Sequence, residues 1–431
     1  MKKKMGGRFF AALVIFSLIG QIAWVVENMY FNVFLYEMFN ASASDISTMV
    51  AASAVAATLT TIFIGSLSDR IGKRKVFICA GYILWGISIL AFAALRADII
   101  EPLFPTAVSV ASAGVSLVII FDCVMTFFGS SANDACFNAW LTDSTDETNR
   151  GRAEGINAMM PMMAIIVVFG GTMWADTSNA AHWSILFMLI GIIVLITGIL
   201  GIFLIKEDGC AEIEKGKYFG NIFYGFRPSV IKNNSQLYIT LAAFTIFGIS
   251  IQIFMPYLIL YYTEALHLDN YVFIMAPAII IAGIATAFYG RVYDKKGYIP
   301  SLVPTLILLV IGYAFLALFK NTVLVFAGSL FMITGYLTAT AVFGAMIRNC
   351  TPKGMAGRFQ GLRIVGQVLI PGVVGPAIGA AVLKGADTVL NTDGTTSFIP
   401  NANIYIAAAI MIIPVAAVII IHSVLARKTK A

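Results

Sequence analysis

Apolar stretches of about twenty residues recur along the whole chain, each closed by a short cluster of charged or turn-forming residues. Twelve can be read, at approximately 9–37, 45–68, 75–96, 114–141, 153–175, 181–205, 236–263, 270–292, 301–319, 322–347, 363–383 and 402–425. A helix of about twenty residues crosses a hydrocarbon core of roughly 30 Å with every backbone polar group satisfied internally. Barrel strands would alternate in segments of about ten residues. The predicted fold is therefore an all-α integral membrane protein with about twelve transmembrane helices.

Composition agrees with the pattern: 59% of the residues are hydrophobic and 12% charged, and the mean hydropathy is +0.89. A soluble fold of this size would lack polar cover. The first stretch holds Gln21, Glu27, Asn28 and Asn32, and no small-residue cleavage site follows it, so it is expected to stay as a working helix.

Basic residues test the topology, because Lys and Arg gather in cytoplasmic loops. With the N-terminus inside, 25 of the 28 fall in alternate, inner segments, and the exceptions Arg96, Lys320 and Lys384 fall singly in three outer loops. The expected location is the cytoplasmic membrane, with both termini cytoplasmic. The net charge of +6 is accounted for by this bias, so no nucleic-acid partner is called for. Five cysteines and three histidines lie scattered without paired or metal-ligand spacing. No Walker loop or Ser/His/Asp set is readable, and the chain is not expected to be an enzyme or to carry a cofactor.

Gly65-Ser66-Leu67-Ser68-Asp69-Arg70-Ile71-Gly72-Lys73-Arg74-Lys75 closes the second stretch, and Gly290-Arg291-Val292-Tyr293-Asp294-Lys295-Lys296-Gly297 closes the eighth, 225 residues later. A second pair, Arg152-Ala153-Glu154-Gly155 and Arg358-Phe359-Gln360-Gly361, recurs at an offset of 206. The chain thus reads as two pseudo-symmetric six-helix bundles, 1–205 and 236–431, joined by a charged linker at 206–235. Repeated bundles that rock about one site suit alternating access to a solute. In the repeated loop, glycines are expected to let helices approach closely, and Asp69 and Asp294 to face helix N-termini or arginines.

The segment Gly65 to Lys75 resembles the signature loop of the major facilitator superfamily, and Gly290 to Gly297 sits where that family's second copy falls. The resemblance implies two bundles around a central cavity, with Asp69 in a charge network between them. Gly65, Asp69, Arg70, Gly72, Asp294 and Arg152 become candidate gating residues. The run Asp134 to Asp143, followed by Arg150-Gly151-Arg152, resembles the fourth helix of the glycoside and sucrose type cation symporters, which implies a role for Asp134 in a sugar and cation site. Those symporters carry acidic cation ligands on the second helix, where Met49 to Phe63 has none. Gly372 to Gly379 resembles the glycine-proline motif of drug antiporters, although on the eleventh stretch rather than the fifth. It reads as a packing and kink device, with export as the alternative.

Of 22 acidic residues, Glu27, Asp122 and Asp134 fall clearly within stretches, where a charged side chain costs about 2.5 to 3.5 kcal/mol. They are candidate coupling residues for a transported proton or sodium ion; structural pairing is the alternative. On an ideal helix Gln21, Asn28 and Asn32 lie within about 20° to 40° of one another, flanked by Trp24, a face suited to a hydroxyl-rich solute. Glu27 turns about 120° from Gln21, and Asp134 about 120° from Asp122, so the two aspartates are not expected to share one cavity, and Asp134 has Arg152 as an alternative partner. Gln252, Tyr336 and Gln367 are the candidates of the second half, and Pro256 and Pro371 candidate hinges. The expected function is coupled uptake of a small polar solute, a sugar, glycoside or oligosaccharide, by a monomer in the lipid bilayer.

Overall fold

The computed structural model describes residues 6–104, 110–145, 150–206, 224–268, 270–352, 359–391 and 396–419, apart from the side chains of residues 69, 150–152, 154, 155, 291, 294 and 360. Among the described residues, ten helices are long and apolar enough to cross a membrane, and two shorter apolar helices, Ile156–Thr172 and Asn403–Ile419, complete the twelve expected. We label them α1 (Gly7–Phe39), α2 (Ala43–Ile71), α3 (Arg74–Phe92), α4 (Val110–Asp143), α5 (Arg150–Thr172), α6 (Ala180–Leu204), α7 (Ser235–Ala265), α8 (Val272–Lys296), α9 (Tyr298–Leu318), α10 (Thr322–Cys350), α11 (Gly361–Val382) and α12 (Asn403–Ile419). The chain divides into two compact units, Met1–Tyr218 and Phe219–Ala431.

Each unit pairs its helices in the same way. In the first, α1 packs on α5, α2 on α4, and α3 on both α4 and α6. In the second, α7 packs on α11, α8 on α10, and α9 on both α10 and α12. The duplication seen in two loop motifs therefore extends to the packing scheme. Lipid is as apolar as leucine, so close fit must hold such helices together. A Cβ on Gly86 of α3 would lie 2.5 Å from the Leu195 backbone nitrogen of α6. On α11, Gly375 and Gly379 lie against Gln252 and Ile253 of α7 in the same manner. The glycine-proline run is thus a helix contact.

Local signals set the helix ends. Ser42 and Asp45 form a reciprocal capping box that starts α2. Gly72 stops the helix in the left-handed region, at φ 71°. A short hairpin, Thr388–Leu390 with Thr396–Phe398, lies between α11 and α12 and had no counterpart in the sequence reading.

Four of the described helices contain a π-turn. Wide π-turns occupy Val26–Tyr30 in α1, Ser130–Phe137 in α4, Tyr261–Ala265 in α7 and Val365–Leu369 in α11. The last ends just before Pro371, and a tight 3-10 turn, Met255–Tyr257, surrounds Pro256. Both proline hinge candidates thus sit at real interruptions. Each π-turn carries one residue more than an α-turn and advances less per residue, so faces computed at 100° drift beyond it.

Candidate functional site

The π-turn of α1 points Glu27 into its own unit, where the residue is 8% exposed. Its Oε1 accepts hydrogen bonds from Ser53 Oγ of α2 at 2.7 Å and from Thr126 Oγ1 of α4 at 2.9 Å. The two hydroxyl oxygens are themselves 2.8 Å apart. Glu27 Oε2 has no hydrogen-bond partner. Within the same π-turn, Tyr30 reaches a different helix, its hydroxyl 2.6 Å from Thr172 Oγ1 of α5.

Asp122 is buried one α4 turn from Thr126, within electrostatic reach of both Glu27 and Ser53, and its Oδ1 is unpartnered. Asp134 is half-buried, accepts from Ser130 Oγ at 2.9 Å, and also lies within electrostatic reach of Glu27. Both aspartates therefore lie within electrostatic reach of Glu27, Asp122 from the regular part of α4 and Asp134 from its π-turn.

Below this cluster a polar clasp joins three helices. Tyr82 Oη of α3 donates to the Phe16 carbonyl of α1 at 2.7 Å and accepts from Asn133 Nδ2 of α4 at 2.6 Å. Gly20 makes room for it, since a Cβ there would meet the Asn133 amide and the Tyr82 hydroxyl. At the end of the unit that holds the α2–α3 loop, Arg74 Nε pairs with Asp143 Oδ2 at 2.5 Å and Arg74 Nη1 donates to Ser68 at 3.2 Å. Sequence reading did not single out Ser53, Tyr82 or Arg74 for these roles.

The α1 polar face is only partly open. Gln21 and Trp24 are half-buried and Asn28 is exposed, but Asn32 is 1% exposed. Asn28 donates to the Trp24 carbonyl and Asn32 to the Asn28 carbonyl, leaving Asn32 Oδ1 without a partner. The π-turn separates Asn32 from Asn28, against the shared face computed for an ideal helix. Trp24 lies against Trp85 with ring centroids 4.9 Å apart and the planes tilted by 45°, and neither indole N–H finds a partner.

In the second unit, Gln252 and Gln367 are half-buried, and Tyr336, also half-buried, stacks on Phe247. Tyr261 and Tyr262 are buried with their hydroxyls engaged by the Leu316 carbonyl and Ser329, which fits them as helix ties.

Of the gating candidates, Arg70 is exposed on the last turn of α2, where a cation suits the helix dipole. The side chains of Asp69, Arg152 and Asp294 lie outside the described residues. Close approach is not the reason for two of the glycines. A Cβ on Gly65 would make ordinary contact with Ala135 at 3.7 Å, and one on Gly290 would meet nothing within 4 Å. Gly72 and Gly297 are instead needed for positive φ, 71° and 77°.

Among the described residues no group of three or more His, Cys, Asp or Glu is arranged to hold a metal ion. Comparison with known proteins adds three findings. The chain matches the model of the Major Facilitator Superfamily over residues 6–376. Comparison with curated protein sequences gives no significant match. Among solved structures, it resembles a bacterial homolog of the human lysosomal transporter Spinster, inward-facing and unoccupied (TM-score 0.70, 13% identity, 97% of this chain and 98% of that one). It also resembles a mutant of the nucleoside transporter NupG (TM-score 0.73, 10% identity, 96% and 99%) and the xylose transporter XylE from E. coli in a partially occluded inward open state (TM-score 0.67, 14% identity, 94% and 97%). At these identities the likeness is one of fold.

Proposed function

Because this chain belongs to the major facilitator superfamily, and so is a multi-pass membrane transporter rather than an enzyme, we propose that it takes up a sugar, glycoside or oligosaccharide by alternating access, driven by a proton or another cation. The observation that carries the proposal is the construction of α1. One helix presents Gln21, Trp24 and Asn28 with partial or full exposure, and buries Glu27 against Ser53 and Thr126 a single residue from Asn28.

Amide groups beside an indole plane suit a hydroxyl-rich solute, which needs both donors and acceptors and an apolar face to stack on. A buried carboxyl suits an ion that must be bound and released once per cycle, since a permanent charge there would be costly. A shift of α1 that accommodates solute would alter the surroundings of Glu27 with it. Gln252, Tyr336 and Gln367 are assigned the solute's other side, and the loops around Asp69, Arg152 and Asp294 the gating. Two of the structurally similar proteins are named as a nucleoside transporter and a xylose transporter. The glycine-proline run on α11 packs against α7 and lends export no support.

The remaining parts of the proposal are a monomer in the cytoplasmic membrane, both termini inside, with no resident cofactor and no nucleic-acid partner. Purified protein in proteoliposomes tests it. Labelled sugars should accumulate under an inward proton or sodium gradient and exchange in its absence. Failure of every sugar to be taken up or exchanged would refute the substrate class, and uptake indifferent to both gradients would refute coupling.

A further inference from the structure

The second half of the chain lacks acid where it is rich in base. No Asp or Glu stands between Glu214 and Glu264, nor between Asp294 and Asp387, yet Arg227, Lys232, Arg348, Lys353, Arg358 and Arg363 fall in those intervals. Insertion bias accounts for bases in exposed loops. It does not account for a base inside the protein.

Arg363 is such a base. It lies half-buried on the first turn of α11, and its Nε is shut off from solvent with no hydrogen-bond partner. No carboxylate among the described residues pairs with it, and the charged group within its electrostatic reach is another cation, Arg348. Arg348 is exposed on the last turn of α10, an end that suits a cation, whereas the start of a helix does not. Arg363 thus combines partial burial, an unmet donor, a like charge and the wrong end of a helix dipole. Each of these opposes keeping a guanidinium there.

Two positions in the first unit show the ordinary solution. Arg74, also partly buried, has Asp143 on its Nε and Ser68 on its Nη1. Asn157, which stands where Arg363 stands in the repeat at the offset of 206, is neutral and accepts a hydrogen bond from Ser17 of α1. The second unit has put a charge at the matching place and left it without a partner.

The surroundings are built rather than loose. Ile347 and Phe359 are buried in one apolar cluster with Val230 of the short helix Pro228–Asn233, and Cys350 and Leu362 pack against it. Arg348 and Arg363 each follow a member of that cluster directly in sequence. A neutral polyol would leave the two like charges uncompensated. An oxyanion compensates both and fits the planar fork of a guanidinium.

We infer that Arg363 and Arg348 form an oxyanion site at the ends of α10 and α11, which takes a phosphate or carboxylate group. That group is carried by the solute, as in a sugar phosphate or a sugar acid, or by the headgroup of an anionic lipid. The site stands on the two side chains and does not rest on sugar uptake.

Thermal unfolding of the purified full chain in phosphatidylcholine nanodiscs tests it. At constant ionic strength, inorganic phosphate should raise the apparent melting temperature above that in chloride. Arg363→Gln should weaken the half-saturating concentration about tenfold or more, and Arg348→Gln should weaken it less. In chloride alone Arg363→Gln should melt no lower than the parent, because it removes an uncompensated charge; a clear loss there would mark Arg363 as structural and overturn the site. If Arg363→Gln does not fold, Arg348→Gln decides, and an unaltered phosphate response in it refutes the pairing. Glucuronate or glucose 6-phosphate acting at lower concentration than phosphate identifies the solute as the source. Phosphatidylglycerol in the disc that stabilises the protein and abolishes the phosphate response identifies the lipid. No response to any of these anions would sink the site while leaving the uptake reading intact, and anion binding without uptake of any sugar would do the reverse.

Discussion

Replacing Tyr82 with phenylalanine removes one oxygen atom and two interhelical bonds, those to the Phe16 carbonyl and from the Asn133 amide. Measured hydrogen bonds between membrane helices average about 0.6 kcal/mol and reach about 1.7. Tyr82 is fully buried and Asn133 nearly so, which places these at the upper end. The Phe16 carbonyl keeps its own helix bond, but the Asn133 N–H is left with nothing, a cost of about 1 to 3 kcal/mol. Tyr82→Phe is therefore expected to destabilise the protein by about 2 to 3 kcal/mol. Asn133→Ala, which leaves the bond to Phe16 intact, should cost less, and the double variant little more than Tyr82→Phe alone. Unfolding in mixed micelles by added dodecyl sulfate, followed by tryptophan fluorescence, measures all three. The coupling between the two sites should come out at about 1 kcal/mol or more. Additivity within about 0.3 kcal/mol would show that the two side chains do not act as a unit and would refute the clasp.

Other outcomes follow from the same geometry. Gly65→Ala and Gly290→Ala should be tolerated and raise stability by up to about 1 kcal/mol through helix propensity, whereas Gly375→Leu should abolish the monodisperse peak in size-exclusion chromatography because α7 occupies the space. Arg74→Ala, which breaks a largely buried ion pair, should lower the apparent melting temperature, and Arg74→Lys should recover only part of it, since lysine cannot hold Asp143 and Ser68 in one planar fork. Glu27→Gln or Asp122→Asn should weaken gradient-driven uptake more than counterflow, because exchange need not release the ion; equal loss of both in a folded protein would point to solute binding instead. Trp24→Ala should raise the KM for sugar uptake about tenfold or more by removing the stacking plane, with a KM unchanged by the substitution counting against a solute site on α1.

The twelve crossings were legible because a bilayer imposes a length on every apolar run, and Ile156–Thr172 and Asn403–Ile419 blurred the count only by being short. Glu27, Asp122 and Asp134 stood out because a carboxyl is conspicuous in such a run. Ser53 and Thr126 did not. A serine or threonine in a membrane helix commonly bonds the carbonyl one turn back, as Ser131 and Thr197 do here, so its presence says little about where its hydroxyl points. Nor did any residue type announce the π-turns. They are settled by what lies across the helix, Thr172 for Tyr30 and Ser53 for Glu27, and partners that distant in sequence leave no periodic trace. The face of α1 was misjudged beyond residue 26 for that reason alone.

The same wide turn has a mechanical meaning. One residue more per turn is an angle set aside. If Val26–Tyr30 tightened into an ordinary α-turn, everything beyond it would swing by about 100° relative to everything before. Asn32, whose carbonyl now faces the interior without a donor, would come around to within about 40° of Asn28, and the broken amide face would become continuous. Tyr30 and Glu27 hold that rotation back by gripping different neighbours, Thr172 for the one and Ser53 with Thr126 for the other. Releasing either grip would let α1 turn like a key in its wards.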